Sequence, residues 1–298
     1  AAAIGVKGIV LMSDGESTLS SAFVPAILKG ASLGLSMACA SNGYLINQAI
    51  AEQILPYLTY LRINFSAGEP KRYAEIMGVT ERHFGVVAAN VLNMVGEKKK
   101  YNLPVTLNIQ MVCRPQDADQ ILPFAKLGKE LGVDYAIIKH CLDYPGTPGL
   151  GVDYAEYEKH VIPIIKGAVT LSTDNYLVTA KWSKMTAEKR SYKKCLGPPF
   201  LLQISGTGLV ASCGPKFANQ YAGDFHIGNV LHTRLRDLWH SPRYWQVMDY
   251  LRGKTFDAAG CPPGCVQHNM NVALDKHVNG EKRIVEGEGE PPEHLGFI

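Results

Sequence analysis

The chain has 298 residues, 46% of them apolar and 19% charged, with a formal charge of +3 at pH 7. That length and apolar content suit one large α/β unit, or a domain plus an appendage, with a proper core. So small a charge gives no case for nucleic acid or a membrane surface, and the sequence holds no run of eighteen or more apolar residues.

Lys7–Met12 (KGIVLM) reads as a buried strand ending at Ser13-Asp14-Gly15-Glu16-Ser17, and Phe23–Leu33 follows with helical spacing. Leu35–Ala40 is a second strand, closed by the turn Ser41-Asn42-Gly43 and followed by a helix over Leu45–Leu55. Tyr60–Phe65 (YLRINF) is the third, with helices at Arg72–Met77 and His83–Val95 after it. Val105–Val112 (VTLNIQMV) and the helix Ala118–Leu131 make the fourth unit, Tyr135–Lys139 and the helix Tyr154–Lys166 the fifth. Apolar strands alternating with amphipathic helices imply parallel βα units with the sheet buried on both faces. The pattern leaves closed barrel and open sheet undecided. A buried strand so near Ala1, in a chain that does not begin with Met, suggests a fragment whose first βα unit is missing.

From Val169 the texture changes. Val169–Ala180 leans toward strand, and Lys181–Lys194 is a polar, basic connector; it and Lys98–Lys100 are read as solvated faces. Phe200–Ser205 and Gly208–Ser212 read as a hairpin, Asn229–Trp239 and Pro242–Arg252 as short helices. After Asn271 the tail is polar, with Glu286–Glu293 frayed. The expected division is 1–182 for the βα part, 183–275 for a small α+β part and 276–298 for the tail.

Four of the seven cysteines fall in two pairs: Cys195 and Cys213, spaced C-x12-G-x4-C about Gly208, and Cys261 and Cys265 in C-P-P-G-C. Gly208 fits a hairpin turn that brings the first pair together, and Pro262-Pro263-Gly264 a tight bend for the second. Thiolates so gathered repel unless a cation offsets them, so the spacing points to a metal or an iron–sulfur cluster; zinc and [4Fe–4S] both accept four thiolates. Cys39, Cys113 and Cys141 are read as core. An odd cysteine count, and an Ala1–Val10 segment without an export pattern, favour a reducing cytoplasm over a disulfide framework.

The order of these pieces resembles the radical S-adenosylmethionine (SAM) superfamily with a C-terminal SPASM or twitch extension. Asp14-Gly15-Glu16 is similar to the Gly-Gly-Glu motif, and Ser41-Asn42-Gly43 to a Thr-Asn-Gly strand end. RINFSAGE supplies polar residues at the end of the next strand, and C-x12-G-x4-C opens the extension. Gly228-Asn229-Val230, ahead of Leu238-Trp239, is also SPASM-like. The likeness runs from about residue 5 to residue 271. The superfamily's C-x3-C-x2-C signature is absent, and Cys39, Cys113 and Cys141 are too far apart to replace it.

The resemblance implies a partial (βα) barrel of radical SAM type lacking its first βα unit, joined to a small α+β iron–sulfur domain. It implies S-adenosyl-L-methionine bound by Asp14, Gly15, Glu16, Asn64, Ser66 and Gln110. Gly15 and Glu16 would take the methionyl ammonium, Asn64 and Ser66 the ribose or carboxylate. A solvent-exposed turn at Asp14-Gly15, and a hydrogen-bonded polar layer of Asn108 and Gln110, are the structural alternatives. It also implies an auxiliary [4Fe–4S] cluster on Cys195, Cys213, Cys261 and Cys265, with a second cluster in a full-length parent. Tyr192, Trp239, Trp245 and Tyr250 would form the core around the auxiliary cluster. The parent would cleave SAM reductively and abstract hydrogen from a sugar, nucleotide, alcohol or peptide, fed by an external electron donor. This chain alone would not generate the radical. A non-catalytic relative and a zinc-stabilised βα-barrel protein are the rival readings; a nucleic-acid binder has only Lys181–Lys194 in its favour.

Overall fold

The computed structural model describes residues 1–12, 15–141, 154–182, 190–261 and 264–285. They divide into a larger unit within residues 7–187 and a smaller one within residues 188–298, which also takes in Ala1–Val6.

In the larger unit, β1 (Gly8–Leu11), β2 (Ser36–Ser41), β3 (Leu58–Asn64), β4 (Thr106–Cys113), β5 (Tyr135–His140) and β6 (Leu177–Ala180) form one sheet in chain order. Every neighbouring pair is parallel. Parallel strands need crossovers of a dozen or more residues. These carry α1 (Phe23–Ser32), α2 (Gln48–Ile54), α3 (Pro70–Met77), α4 (Glu81–Tyr101) and α5 (Ile121–Leu131). A last helical stretch joins α6 (Tyr154–Glu156), a wide π turn at Tyr157–Val161, and α7 (Ile162–Val169). Sequential parallel order is that of a (βα) barrel wall, with β1 and β6 as its two margins.

The register decides which side chains face where. Leu61, Ile63, Leu107, Ile109, Met111 and Ile138 stand at alternate positions, are buried, and form the core with Val91 and Met94 of α4 and Phe124 of α5. Each such burial contributes about 1.5–3 kcal/mol. Residues of opposite parity, Tyr60, Arg62 and Asn64 on β3 and Asn108 and Gln110 on β4, share the other face.

Several expectations are corrected. Val169 closes α7 rather than opening a strand, and β6 begins at Leu177. The helix read over His83–Val95 runs on to Tyr101, where Asn102 turns left-handed at φ 48° and Lys98–Lys100 sit at the negative end of the helix dipole. Lys98 Nζ lies 2.6 Å from Asp134, while Lys99 and Lys100 are exposed, as read for a solvated face.

The smaller unit has an antiparallel sheet of β7 (Gln203–Ile204), β8 (Leu209–Ala211) and β9 (His226–Asn229). Around it lie α8 (Ala222–Phe225), α9 (Leu235–Trp239), α10 (Pro242–Arg252) and α11 (His268–Val278). Gly208 holds φ 79° in the turn, and a side chain there would meet Asn229 Oδ1 at 2.7 Å. Strand β9 falls inside a stretch read only as a motif before a helix. Helix α11 replaces the polar tail expected after Asn271 and crosses the boundary placed at 275/276. Its Asn271 is buried and anchors it, as the side-chain contacts below account for. The core packs Tyr192, Val210, Phe225, Ile227, Tyr244 and Leu251, with Trp239 and Tyr250 against it. Trp245 is 49% exposed and is not part of that core; Tyr244, one residue earlier on α10, is.

Candidate functional site

The polar residues of the larger unit collect at the carboxyl ends of β1 to β4, the ligand side of parallel sheets. Glu16 is fully engaged. Its Oε1 accepts from Thr18 N (3.1 Å), Thr18 Oγ1 (2.8 Å) and Ser41 Oγ (2.8 Å), and its Oε2 from Asn42 N (2.7 Å). The carboxylate thus clasps the loop after β1 to the end of β2. Asn42 Oδ1 accepts from Tyr44 N at 2.9 Å, an Asx turn, while Gly43 at φ 76° makes the bend possible. Gly15 precedes this clasp; Asp14 lies outside the described residues.

Ser66 is buried and its Oγ accepts from Val112 N at 3.4 Å, joining the β3 exit to β4. Gln110 Oε1 accepts from Arg62 Nη1 at 3.1 Å. Asn64 Oδ1 and Asn108 Oδ1 are buried acceptors without a partner among the described residues, so the polar layer is only partly satisfied. Asn64 therefore has acceptor capacity left, whereas the carboxylate of Glu16 is engaged by the fold and Ser66 Oγ accepts from β4.

Sequence reading passed over Arg62 and Lys181. Arg62 shares its face with Asn64, and Lys181, hydrogen-bonded through its N–H to Ile138 O at 3.0 Å, continues β6 with the parity of that face. Neither side chain forms an ion pair among the described residues. Burial first, and the Arg62 charge second, hold the Lys181 ammonium below the ordinary lysine range. Strict alternation in YLRINF was the available signal for Arg62. Cys39 and Cys113 are wholly buried, as expected of core thiols, and burial pushes each up to about 12; Cys141 is half-buried.

In the smaller unit, backbone and side-chain bonds tie the segment leading to Cys195 to the segment ending at Cys261. Cys195 N donates to Leu251 O (3.0 Å), Ala258 N to Lys193 O (2.8 Å), and Arg190 Nη1 to Ala258 O (2.6 Å) and Cys261 O (2.7 Å). All four thiols are half-buried. Burial pushes Cys195 up to about 11 and Cys213 up to about 12, and raises Cys261. The neighbouring sulfurs raise them further: Cys195 feels Cys261 and Cys265, and Cys213 feels all three others. Arg190 and Lys216 oppose this at Cys261.

The donor set fits a thiolate-held metal centre. Four thiols within electrostatic reach of one another, flanked by two cations, match the charge of a thiolate-held centre. Among the described residues no three His, Cys, Asp or Glu side chains stand so as to hold one metal ion. Pro262 and Pro263 lie outside the described residues.

Comparison with known proteins agrees with this geometry. Residues 195–265 match the SPASM domain, an iron–sulfur cluster-binding domain. SuiB from Streptococcus suis superposes with a TM-score of 0.59 at 16% identity, covering 81% of this chain and 57% of SuiB. SuiB has also been crystallised with S-adenosylmethionine and with its precursor peptide SuiA. The enzyme anSMEcpe with bound AdoMet gives 0.56 at 13% identity, covering 94% of this chain and 82% of its own. No curated protein matches the sequence. No helix among the described residues is long and apolar enough to cross a membrane. The chain has the fold of the radical SAM enzymes, with a SPASM iron–sulfur cluster-binding domain at residues 195–265.

Proposed function

We propose that this chain is the ligand-binding and SPASM-bearing part of a radical SAM enzyme. Its full-length parent cleaves SAM reductively and removes a hydrogen atom from its substrate. What supports this is the SPASM match over residues 195–265, together with the electrostatic influence that Cys195, Cys261 and Cys265 exert on Cys213 and that Arg190 and Lys216 exert on Cys261. Of the expected 1–182, residues from Lys7 onward form the partial barrel, Ala1–Val6 going with the smaller unit; residues 183–275, extended by the rest of α11 to Val278, form the auxiliary domain. In the barrel, Glu16 holds the loop after β1 in shape, Asn64 Oδ1 accepts from the ligand's ammonium or ribose, and Arg62 and Lys181 hold an anionic group. Gln110 keeps the Arg62 guanidinium aimed along the strand face. Cys195, Cys213, Cys261 and Cys265 would hold an auxiliary [4Fe–4S] cluster, which would supply electron transfer or order to the domain. Binding it requires Cys195, Cys213 and Cys261 to shed protons that burial holds on.

The sequence lacks C-x3-C-x2-C, so this chain by itself binds SAM without cleaving it. Among the candidate substrates, a peptide has the support that SuiB and anSMEcpe have each been crystallised with one. A reducing cytoplasm and an external electron donor follow from the same chemistry. Anaerobic reconstitution with iron and sulfide tests the reading. The expected result is about four irons and four sulfides per chain, lost in Cys213→Ala, together with SAM binding by calorimetry. Stoichiometric zinc without iron or sulfide would refute it in favour of a zinc-stabilised barrel.

A further inference from the structure

Two buried amides beyond the segment matched as SPASM, Gln267 at the N-cap of α11 and Asn271 within it, converge on Cys195. Asn271 is 1% exposed. Its Oδ1 accepts from Leu196 N (2.6 Å) and Gly197 N (2.9 Å), which fixes the amide so that Nδ2 points at Cys195 Sγ, 3.5 Å away. Gln267 is 2% exposed. Its Nε2 donates to Leu201 O (3.3 Å) and Ser212 O (2.9 Å), which turns Oε1 toward the same sulfur at 3.7 Å. Neither amide can flip without losing two hydrogen bonds, so the polarity each presents is set by the backbone. Gly197 permits the approach: a Cβ there would lie 2.6 Å from Gln267 Oε1 and 3.1 Å from its Cβ.

We propose that Asn271 and Gln267 are positioning residues of the auxiliary cluster, forming a rigid bracket that sets the charge borne by Cys195 and so the cluster's reduction potential. The inference rests on the iron–sulfur reading above and extends it beyond residue 265. A donor to a ligating sulfur stabilises the more negative, reduced state and raises the potential; an acceptor facing that sulfur lowers it. The two amides therefore act with opposite sign on one ligand. The bracket also couples the ligands mechanically, because Gln267 grips Ser212, the neighbour of Cys213, as well as the loop after Cys195.

The test is an EPR-monitored redox titration of the reconstituted full chain, with iron and sulfide assayed in parallel. Asn271→Asp keeps the acceptor for Leu196 and Gly197, removes the donor and adds a negative charge; Gln267→Met keeps the volume and removes the acceptor together with the donor to Leu201 O and Ser212 O. The expected outcome is a lower midpoint in the first and a higher one in the second, at wild-type iron content. Asn271→Ser, too short to reach the sulfur, should follow Asn271→Asp. A variant that loses iron while its cluster-free form melts as wild type supports the bracket too. Unchanged midpoints, shifts of the same sign in both, or iron loss accompanied by unfolding of the cluster-free domain overturn it. A wild-type chain that takes up no iron or sulfide overturns the iron–sulfur reading and this inference together, whereas an iron-loaded wild type with indifferent variants overturns this inference alone.

Discussion

Glu16 was expected to receive a ligand's ammonium, and its surroundings give it a different first duty. Replacing it by Ala removes one acceptor group that serves four donors, two of them backbone N–H groups. At about 1 kcal/mol for each net hydrogen bond the loss would approach 4 kcal/mol. Glu16 is half-exposed, so water replaces part of it, and about 2–3 kcal/mol remains. For a unit of this size that lowers the melting temperature by roughly 5–10 °C. Thermal or urea unfolding of protein free of SAM and cluster measures it. Ser41→Ala and the double variant complete a cycle whose coupling should fall between about 0.5 and 3 kcal/mol. A loss under about 0.5 kcal/mol, or no coupling to Ser41, would refute the clasp and return the carboxylate to the ligand.

Alkali should weaken the larger unit through Cys39 and Cys113, both pushed from 9.0 to about 12 mainly by burial. A folded pKa above the unfolded one gives stability that is complete below pH 9 and drains as pH rises toward 12. Between pH 9.5 and 10.5 the two thiols together should cost about 2.5 kcal/mol, a slope that Cys39→Ala/Cys113→Ala flattens in denaturant titrations; equal slopes would contradict the assignment. Arg62→Met should raise the Lys181 pKa toward the ordinary range, seen as slower acetylation of Lys181 near neutral pH, and should weaken SAM binding about tenfold or more; unchanged acetylation would separate the two cations. Gly68→Ala would place a Cβ 2.1 Å from the Pro123 carbonyl carbon and 2.3 Å from Phe124 N. Backbone cannot yield as a side-chain end does, so a loss of about 1–3 kcal/mol in unfolding free energy is expected.

The sheet was legible because short apolar runs are each followed by a helical period. Each of the five strand readings from KGIVLM to YAIIK lies within about two residues of β1 to β5. The cysteine spacing carried the smaller unit for the same reason: glycine and proline mark where the chain must turn. What escaped was non-local. Helix α11 is polar, with Asn271, and Gln267 at its N-cap, buried where the Cys195 loop donates to one and accepts from the other, and no periodicity announces that. Trp245 misled because a large aromatic suggests a core, whereas the helix phase places Tyr244 inward and Trp245 outward. Glu16 could be tied to a motif but not to its partners, since Ser41 and Asn42 lie 25 and 26 residues away.

The strands of the larger unit lie in the order in which they are made. Each new strand finds its hydrogen-bonding neighbour already in place as the polypeptide leaves the ribosome, so no segment must wait for a distant one. Growth of the sheet from β1 toward β6 can then keep pace with synthesis, and nascent chains stalled after β4 should already protect β2 and β3 amides from exchange.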